Sequence, residues 1–157
     1  GLNIVNSDFV FFADSDGQHV AKDFWKLYEL KGKNPVISGY RVERADGPHR
    51  RLMSFVFRWM TTALFRLPLF YDMTAPFKLM QTKVAQEIAD ECKYMKYSFW
   101  TEFTVRAYKK GFNVTEVSVD HRRRMNGATR LYNPDKLVSI ILSQLIGLLK
   151  LWKELAK

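Results

Sequence analysis

Apolar and polar positions alternate along the chain with two different periods. Phe9-Val10-Phe11-Phe12-Ala13 is a continuous apolar run bounded by polar residues, which predicts a buried strand with Asp14 to His19 as the loop leaving it. Ala21 to Lys31 bring Phe24, Leu27, Tyr28 and Lys31 to helical spacing. Pro35 to Gly39 reads as a second strand, and Arg44 to Pro48 as a polar loop. From Arg50 to Leu67, the set Met53, Val56, Phe57, Met60, Leu64 and Leu67 marks one helix face. Arg51, Ser54, Arg58, Thr62 and Arg66 form a polar stripe, and Pro68 ends the helix.

Downstream, Ala75 to Gln81 predicts a short strand and Lys83 to Cys92 a helix. Ser98 is the expected N-cap of a helix through Lys110, with Gly111 as its stop. Phe112 to Val119 alternates as a strand. A basic loop from His121 to Tyr132 leads into a last helix from Pro134 to the end. Strands alternating with helices predict an α/β sheet with crossover connections, within one domain or part of one.

The 157 residues, 47% hydrophobic and 15% aromatic, suffice for a core and exclude a disordered chain. The single cysteine, Cys92, excludes an internal disulfide. A net charge of +9 attracts anions: nucleic acid, an anionic membrane or a phosphorylated small molecule.

Candidate chemistry concentrates in Asp14-Ser15-Asp16-Gly17-Gln18-His19. Two carboxylates two residues apart, where a strand opens into a loop, can share one Mg²⁺ or Mn²⁺ and leave positions open for phosphate oxygens. A plain turn is the simpler reading. A calcium loop of the EF-hand type fails, because His19 stands where a glycine and Trp25 where a glutamate is required. The second constellation is cationic: Arg41, Arg44, Arg50 and Arg51, then Arg122, Arg123, Arg124 and Arg130 around Gly127. Guanidinium forks match phosphate oxygens, and a metal-bound diphosphate needs both groups.

Taken in order, the segments resemble family 2 glycosyltransferases, in the branch of dolichyl-phosphate mannosyltransferase and bacterial polyprenyl-phosphate glycosyltransferases. Val10 to His19 resembles the strand and DxD motif. Ser38-Gly39-Tyr40-Arg41 resembles a Gly-Ser-Arg-Tyr segment, and Arg50-Arg51-Leu52-Met53-Ser54 an Arg-Arg-x-x-Ser helix start. Asp72 to Lys78 resembles Asp-x-Thr-x-Gly-Phe-Arg, with Pro76 in place of glycine and Lys78 in place of arginine. Glu102 matches a helix glutamate, and Arg124 to Arg130 an Arg-x-x-Gly-x-Ser-Lys loop. The family's opening strand, with its Pro-x-Tyr-Asn-Glu segment, is absent.

The resemblance implies an α/β, GT-A-like nucleotide-diphospho-sugar transferase fold, a mixed sheet flanked by helices, whose N-terminal nucleotide-binding half largely lies upstream of Gly1. Residues 1–157 would be a partial catalytic domain, inactive by itself. It implies inverting transfer from a nucleotide-sugar, with Asp14, Asp16 and Gln18 holding Mg²⁺ or Mn²⁺. Arg51 and Arg124 would contact phosphate, with Arg41, Arg50 and Arg130 behind them. A polyprenyl or dolichyl phosphate acceptor needs no general base. A sugar hydroxyl needs one, from Asp72 or Glu102. No nucleic-acid partner is expected. A basic binding module without catalysis is the rival reading; it explains the charge but not the paired carboxylates.

The last helix, 134–157, has thirteen uncharged residues between Lys136 and Lys150, too few to cross a bilayer. With Trp152 and Lys136, Lys150, Lys153 and Lys157, it suits a helix lying on an anionic surface or packed on the sheet. The expected location is cytoplasmic, peripheral to the cytoplasmic membrane face.

Overall fold

The computed structural model describes residues 2–42, 48–122 and 134–156, and side chains at all of these except 48–50 and 134–137. Four strands form a mixed, open sheet: β1 (Phe9–Phe12), β2 (Val36–Arg41), β3 (Lys78–Gln81) and β4 (Val114–Val119), in the order β1-β3-β2-β4. β3 is antiparallel to both neighbours and β2 is parallel to β4, so β1, β2 and β4 run in one direction. The helices are α1 (Phe24–Tyr28), α2 (Pro48–Phe65), α3 (Thr82–Glu91), α4 (Phe99–Lys109) and α5 (Pro134–Leu155).

Side chains alternate across the sheet and fill two cores. Val36 and Met80 pack with Val84, Ala85 and Ile88 of α3 and Phe103 and Ala107 of α4. Ile37, Leu79 and Val119 pack on the opposite face with Leu27 of α1 and Phe77. A third core joins Phe65, Leu67, Phe70 and Met73 to Met95, Val105 of α4 and Leu148 and Leu151 of α5.

The predicted first strand is an edge strand, not a buried one. Phe11 and Phe12 stay about two-fifths exposed, Phe11 packing edge-on against Phe24 and Phe77 and Phe12 against Trp100. Its apolar run reflects aromatic contacts on both faces. The helix expected over 21–31 is a 3-10 turn, Ala21–Asp23, followed by only five α-helical residues. The strand expected from Ala75 starts at Lys78. α2 closes with Arg66 at φ 50°, a left-handed position usually held by glycine, just before Pro68. Gly111 stops α4 at φ 84°, as its position predicts. Ser98 occupies the N-cap of α4, yet its hydroxyl makes no capping bond; its carbonyl instead accepts from Thr101 N.

Seven consecutive α4 residues, Thr101 to Ala107, are buried, and they include an ion pair. Glu102 accepts from the Lys93, Tyr94 and Met95 amides at 3.1, 2.8 and 2.8 Å and from Arg106 Nε and Nη2 at 3.0 and 2.9 Å. Arg106 Nη1 donates to Glu154 of α5 at 2.8 Å, and the Tyr94 hydroxyl donates to the same carboxylate. Removing one member strands a buried charge, so Glu102→Ala is expected to cost roughly 3–5 kcal/mol in urea denaturation. The Tyr94 hydroxyl, Lys93 and Arg106 hold Glu154 down at about 2 from its ordinary 4.5. Its folded state therefore gains stability above pH 4.5 and loses it as pH falls toward 2. Unfolding midpoints across that window should drop for the native chain and flatten for Glu154→Gln.

Candidate functional site

Because β1, β2 and β4 run in one direction, their carboxyl ends lie together, and the segment entering β3 joins them there. Ligands of open α/β sheets bind at this end. The loop after β1 crosses from one sheet edge to the other. His19 bridges to His121 beyond β4, Gln18 O accepts from Arg122 N at 2.8 Å, and Gln18 Nε2 donates to Arg122 O at 3.1 Å. Asp16 Oδ1 accepts from Gln18 N, and Asp14 is exposed on the same loop. His19 stacks on Phe77, with ring centroids 4.9 Å apart.

The charges of four predicted site residues act on that imidazole. Burial, then the Arg41 charge, hold His19 below the usual imidazole range, against the opposing pull of Asp14, Asp16 and Asp72. Arg41 Nε donates to Asp72 Oδ2 at 2.7 Å and Arg41 Nη2 to Thr74 Oγ1 at 3.1 Å. Thr74 donates to Asp72 Oδ1 through its hydroxyl at 2.8 Å and through its amide at 3.2 Å. Glu116 accepts from the Tyr71 and Asp72 amides at 2.6 and 2.8 Å, fixing the loop that carries Asp72 onto β4.

Beneath this loop, register aligns Phe12, Lys78, Ser38 and Glu116 in one row across all four strands. Lys78 is fully buried and donates to the Ser38 hydroxyl. Burial pushes its ammonium down to about 8, although Asp72 and Glu116 draw it back up and Arg41 adds to the fall. Burial likewise raises the Glu116 carboxyl, against the two amide bonds and the Lys78 charge.

Arg51 and Asp72 line one pocket of about 320 Å³ together with Ser54, Arg58, Thr74 and Thr101. That volume sits at the lower end for small-ligand sites. Arg58 Nη1 donates to Tyr71 O at 3.0 Å, so α2 and the Asp72 loop form its two walls.

Glu102 is not in this cluster. Its two oxygens accept five hydrogen bonds, which exhausts the roughly four lone-pair positions of a carboxylate. It holds the 93–95 turn, and a proton-accepting role for it finds no geometric support. Arg124, Arg130 and the rest of the basic loop from 123 lie outside the described residues, as do the polar loop 43–47 and the side chain of Arg50.

Among the described residues, no three His, Cys, Asp or Glu side chains stand together as a metal site. Two carboxylates can still bind Mg²⁺ or Mn²⁺ when phosphate oxygens and water complete the shell. Asp14 and Asp16 share one loop with Gln18, whose side-chain amide nitrogen is engaged by the Arg122 carbonyl.

Sequence reasoning passed over Lys78, Ser38, Glu116 and His19 as site members. The available signal was a lysine between Phe77 and Leu79-Met80, where strand alternation offers no solvent-facing reason for a charge. Compared with known protein families, the chain matches no family model.

Lys78 is expected to lower stability at neutral pH. Its folded ammonium releases a proton near pH 8, while the unfolded chain keeps one up to 10.5, so stability should rise between those values. Denaturation at pH 7.5, 9 and 10.5 should show this rise in the native chain and its loss in Lys78→Met.

Proposed function

We propose that this chain is the acceptor-side part of a GT-A-like family 2 glycosyltransferase. It would transfer a sugar, with inversion, from a nucleotide-sugar to a polyprenyl or dolichyl phosphate. The reading is carried by the contacts among three segments: Arg41 Nε donates to Asp72 Oδ2 at 2.7 Å, and His19, on the loop of Asp14 and Asp16, stacks on Phe77 with ring centroids 4.9 Å apart. These residues come from three separate segments of the resemblance, and a chance match of short motifs gives no reason for them to meet.

In this reading Asp14, Asp16 and Gln18 would hold Mg²⁺ or Mn²⁺, which supplies Lewis-acid stabilisation of the departing diphosphate. Arg51, on the pocket wall, and Arg124 would pair with phosphate oxygens, and Arg50 and Arg130 would add to the field. Arg41 has a different task. Its pairing with Asp72 and Thr74 orients the loop between Tyr71 and Thr74, so it acts by positioning. The acceptor phosphate oxygen attacks the anomeric carbon opposite the bond to the diphosphate, and that bond breaks as the diphosphate leaves.

The state of the carboxylates favours an anionic acceptor over a sugar hydroxyl. A hydroxyl must lose a proton to a base during attack. Asp72 is engaged by Arg41 and Thr74, and Glu102 by five donors. A lipid phosphate is already ionised and needs neither. Such an acceptor also suits a location peripheral to the cytoplasmic membrane face. Among the described residues, no helix is long and apolar enough to cross a membrane.

In the intact enzyme, Asp16→Ala should lower transfer by about 10²-fold or more while circular dichroism and melting stay unchanged, because Asp16 is on a partly exposed loop. Chelator should have the same effect, reversed by Mg²⁺ or Mn²⁺. Full turnover by Asp16→Ala, or in excess chelator, would remove the reading.

A further inference from the structure

Thr101 is fully buried on the first turn of α4, and its hydroxyl has no hydrogen-bond partner. Threonines further into a helix satisfy the hydroxyl on the carbonyl one turn back. Thr61 donates to Phe57 O and Thr104 to Trp100 O in this way, each at 2.8 Å. Thr101 stands too early for that, because the residue four before it, Tyr97, precedes the helix. The Ser98 carbonyl is already shared by the amides of Thr101 and Glu102, at 2.9 and 3.3 Å. Thr62, Thr82 and Gln144 also bury a polar side-chain atom without a partner, but Thr101 is the one of these four that lines the pocket of about 320 Å³ between α2 and the Asp72 loop. Buried hydroxyls are paired in nearly all folded proteins, because desolvation without a partner is costly. An orphan donor on the wall of a cavity is matched when a ligand supplies the acceptor.

We infer that the Thr101 hydroxyl is the innermost hydrogen-bond donor of this pocket, and that it receives an oxygen of a terminal phosphate. Charge identifies the ligand. Arg51, Ser54 and Arg58, at i, i+3 and i+7, bring two guanidinium groups and a hydroxyl from one face of α2. Asp72, the carboxylate among the lining residues, is engaged by Arg41 Nε at 2.7 Å and by the Thr74 hydroxyl at 2.8 Å, so its charge is compensated. Depth identifies the group. The lining runs from exposed Arg51, Tyr71 and Thr74 at the rim to Thr101 with no exposed surface. A donor so placed is reached by the end of a ligand, not by its middle. A phosphate monoester can give Thr101 one oxygen and leave two for the arginine side, whereas a diester carries a second substituent where the hydroxyl has to approach. That the phosphate belongs to an acceptor rests on the transferase reading; that the pocket takes a terminal phosphate does not.

The test is titration of the 157-residue chain with methyl phosphate and with dimethyl phosphate, followed by the amide resonances of Tyr71, Asp72 and Thr101. The native chain is expected to bind methyl phosphate and to bind dimethyl phosphate at least tenfold more weakly. Thr101→Val, which is isosteric and removes the hydroxyl alone, should lose about tenfold in affinity for methyl phosphate and melt no lower than the native chain, since it removes an unpaired buried group. Thr101→Ser should restore the affinity. Equal binding of the two esters by the native chain overturns the inference without any variant, as does a native chain that binds neither. So does a Thr101→Val chain that melts higher and binds like the native one, which would make the hydroxyl a packing defect. In the intact enzyme, Thr101→Val should raise the acceptor KM about tenfold and leave kcat and the metal requirement unchanged. An intact enzyme without transfer activity would remove the transferase reading and leave the phosphate titrations standing.

Discussion

The buried Glu102–Arg106 pair is the interaction through which most of the molecule is held in register. Glu102 fixes three consecutive amides, at Lys93, Tyr94 and Met95, so the chain between α3 and α4 has one conformation. Arg106 spans the gap from that anchor to Glu154, and α5 is thereby clamped to α4. The approach is close: a Cβ at Gly147 would stand 2.7 Å from the Tyr94 carbonyl oxygen. With α5 in place, Leu148 and Leu151 close the core against Phe65 and Met95, and that core supports α2. The wall of the pocket that carries Arg51 thus depends on an ion pair that does not touch it. Polar groups in such positions contribute little net stability against an apolar alternative, but they leave few competing arrangements.

The sheet end shows the opposite balance. Lys78, Glu116 and Asp72 are brought under one loop, and burial disfavours the charged form of both Lys78 and Glu116. Their mutual attraction returns part of that cost. A chain selected for stability alone would place apolar residues at Lys78, Ser38 and Glu116, as it does at Phe12 in the same row. That it does not is a physical reason to regard the sheet end as a site. The loop after β1 depends on the same design. It reaches the far edge through His19 and Gln18, and Phe77 provides the flat surface on which His19 rests.

How much of this could be read from the residues depends on the range of the interaction involved. Apolar runs, periodicity and end signals locate the four strands and five α-helices described, though not the 3-10 turn at Leu2–Ile4, because burial of one face acts over a few residues; α2 and α3 begin within two positions of expectation. The errors were tertiary. Phe9 to Phe12 reads as a buried strand, but aromatic partners from α1, from Phe77 just before β3 and from α4 let an edge strand be just as apolar. Ser98 has the right residue type for a cap, and its hydroxyl makes no capping bond. Glu102 and Asp72 are indistinguishable in sequence as candidate bases. Only folding separates them, one saturated by a turn and an arginine, the other at the mouth of the sheet. The arginines between 123 and 130 remain a sequence argument, since they lie outside the described residues.

α2 illustrates why a single-face analysis of a helix is incomplete. Scoring Arg50 to Leu67 for one apolar stripe finds the core side and assigns everything else to solvent, with the arginines as support. The same helix has a second stripe, offset from the first, that a moment summed over the whole segment partly cancels. Leu52, Phe55, Val56 and Trp59 lie on the side away from the core, and Arg51 and Arg58 stand at the boundary between the two apolar lines. The pocket lies at that boundary, with Arg51, Ser54, Phe55 and Arg58 on one wall and Asp72 and Thr74 on the other. A ligand that is anionic at one end and apolar at the other would satisfy both sides of it, as the lipid phosphate of the proposed function does.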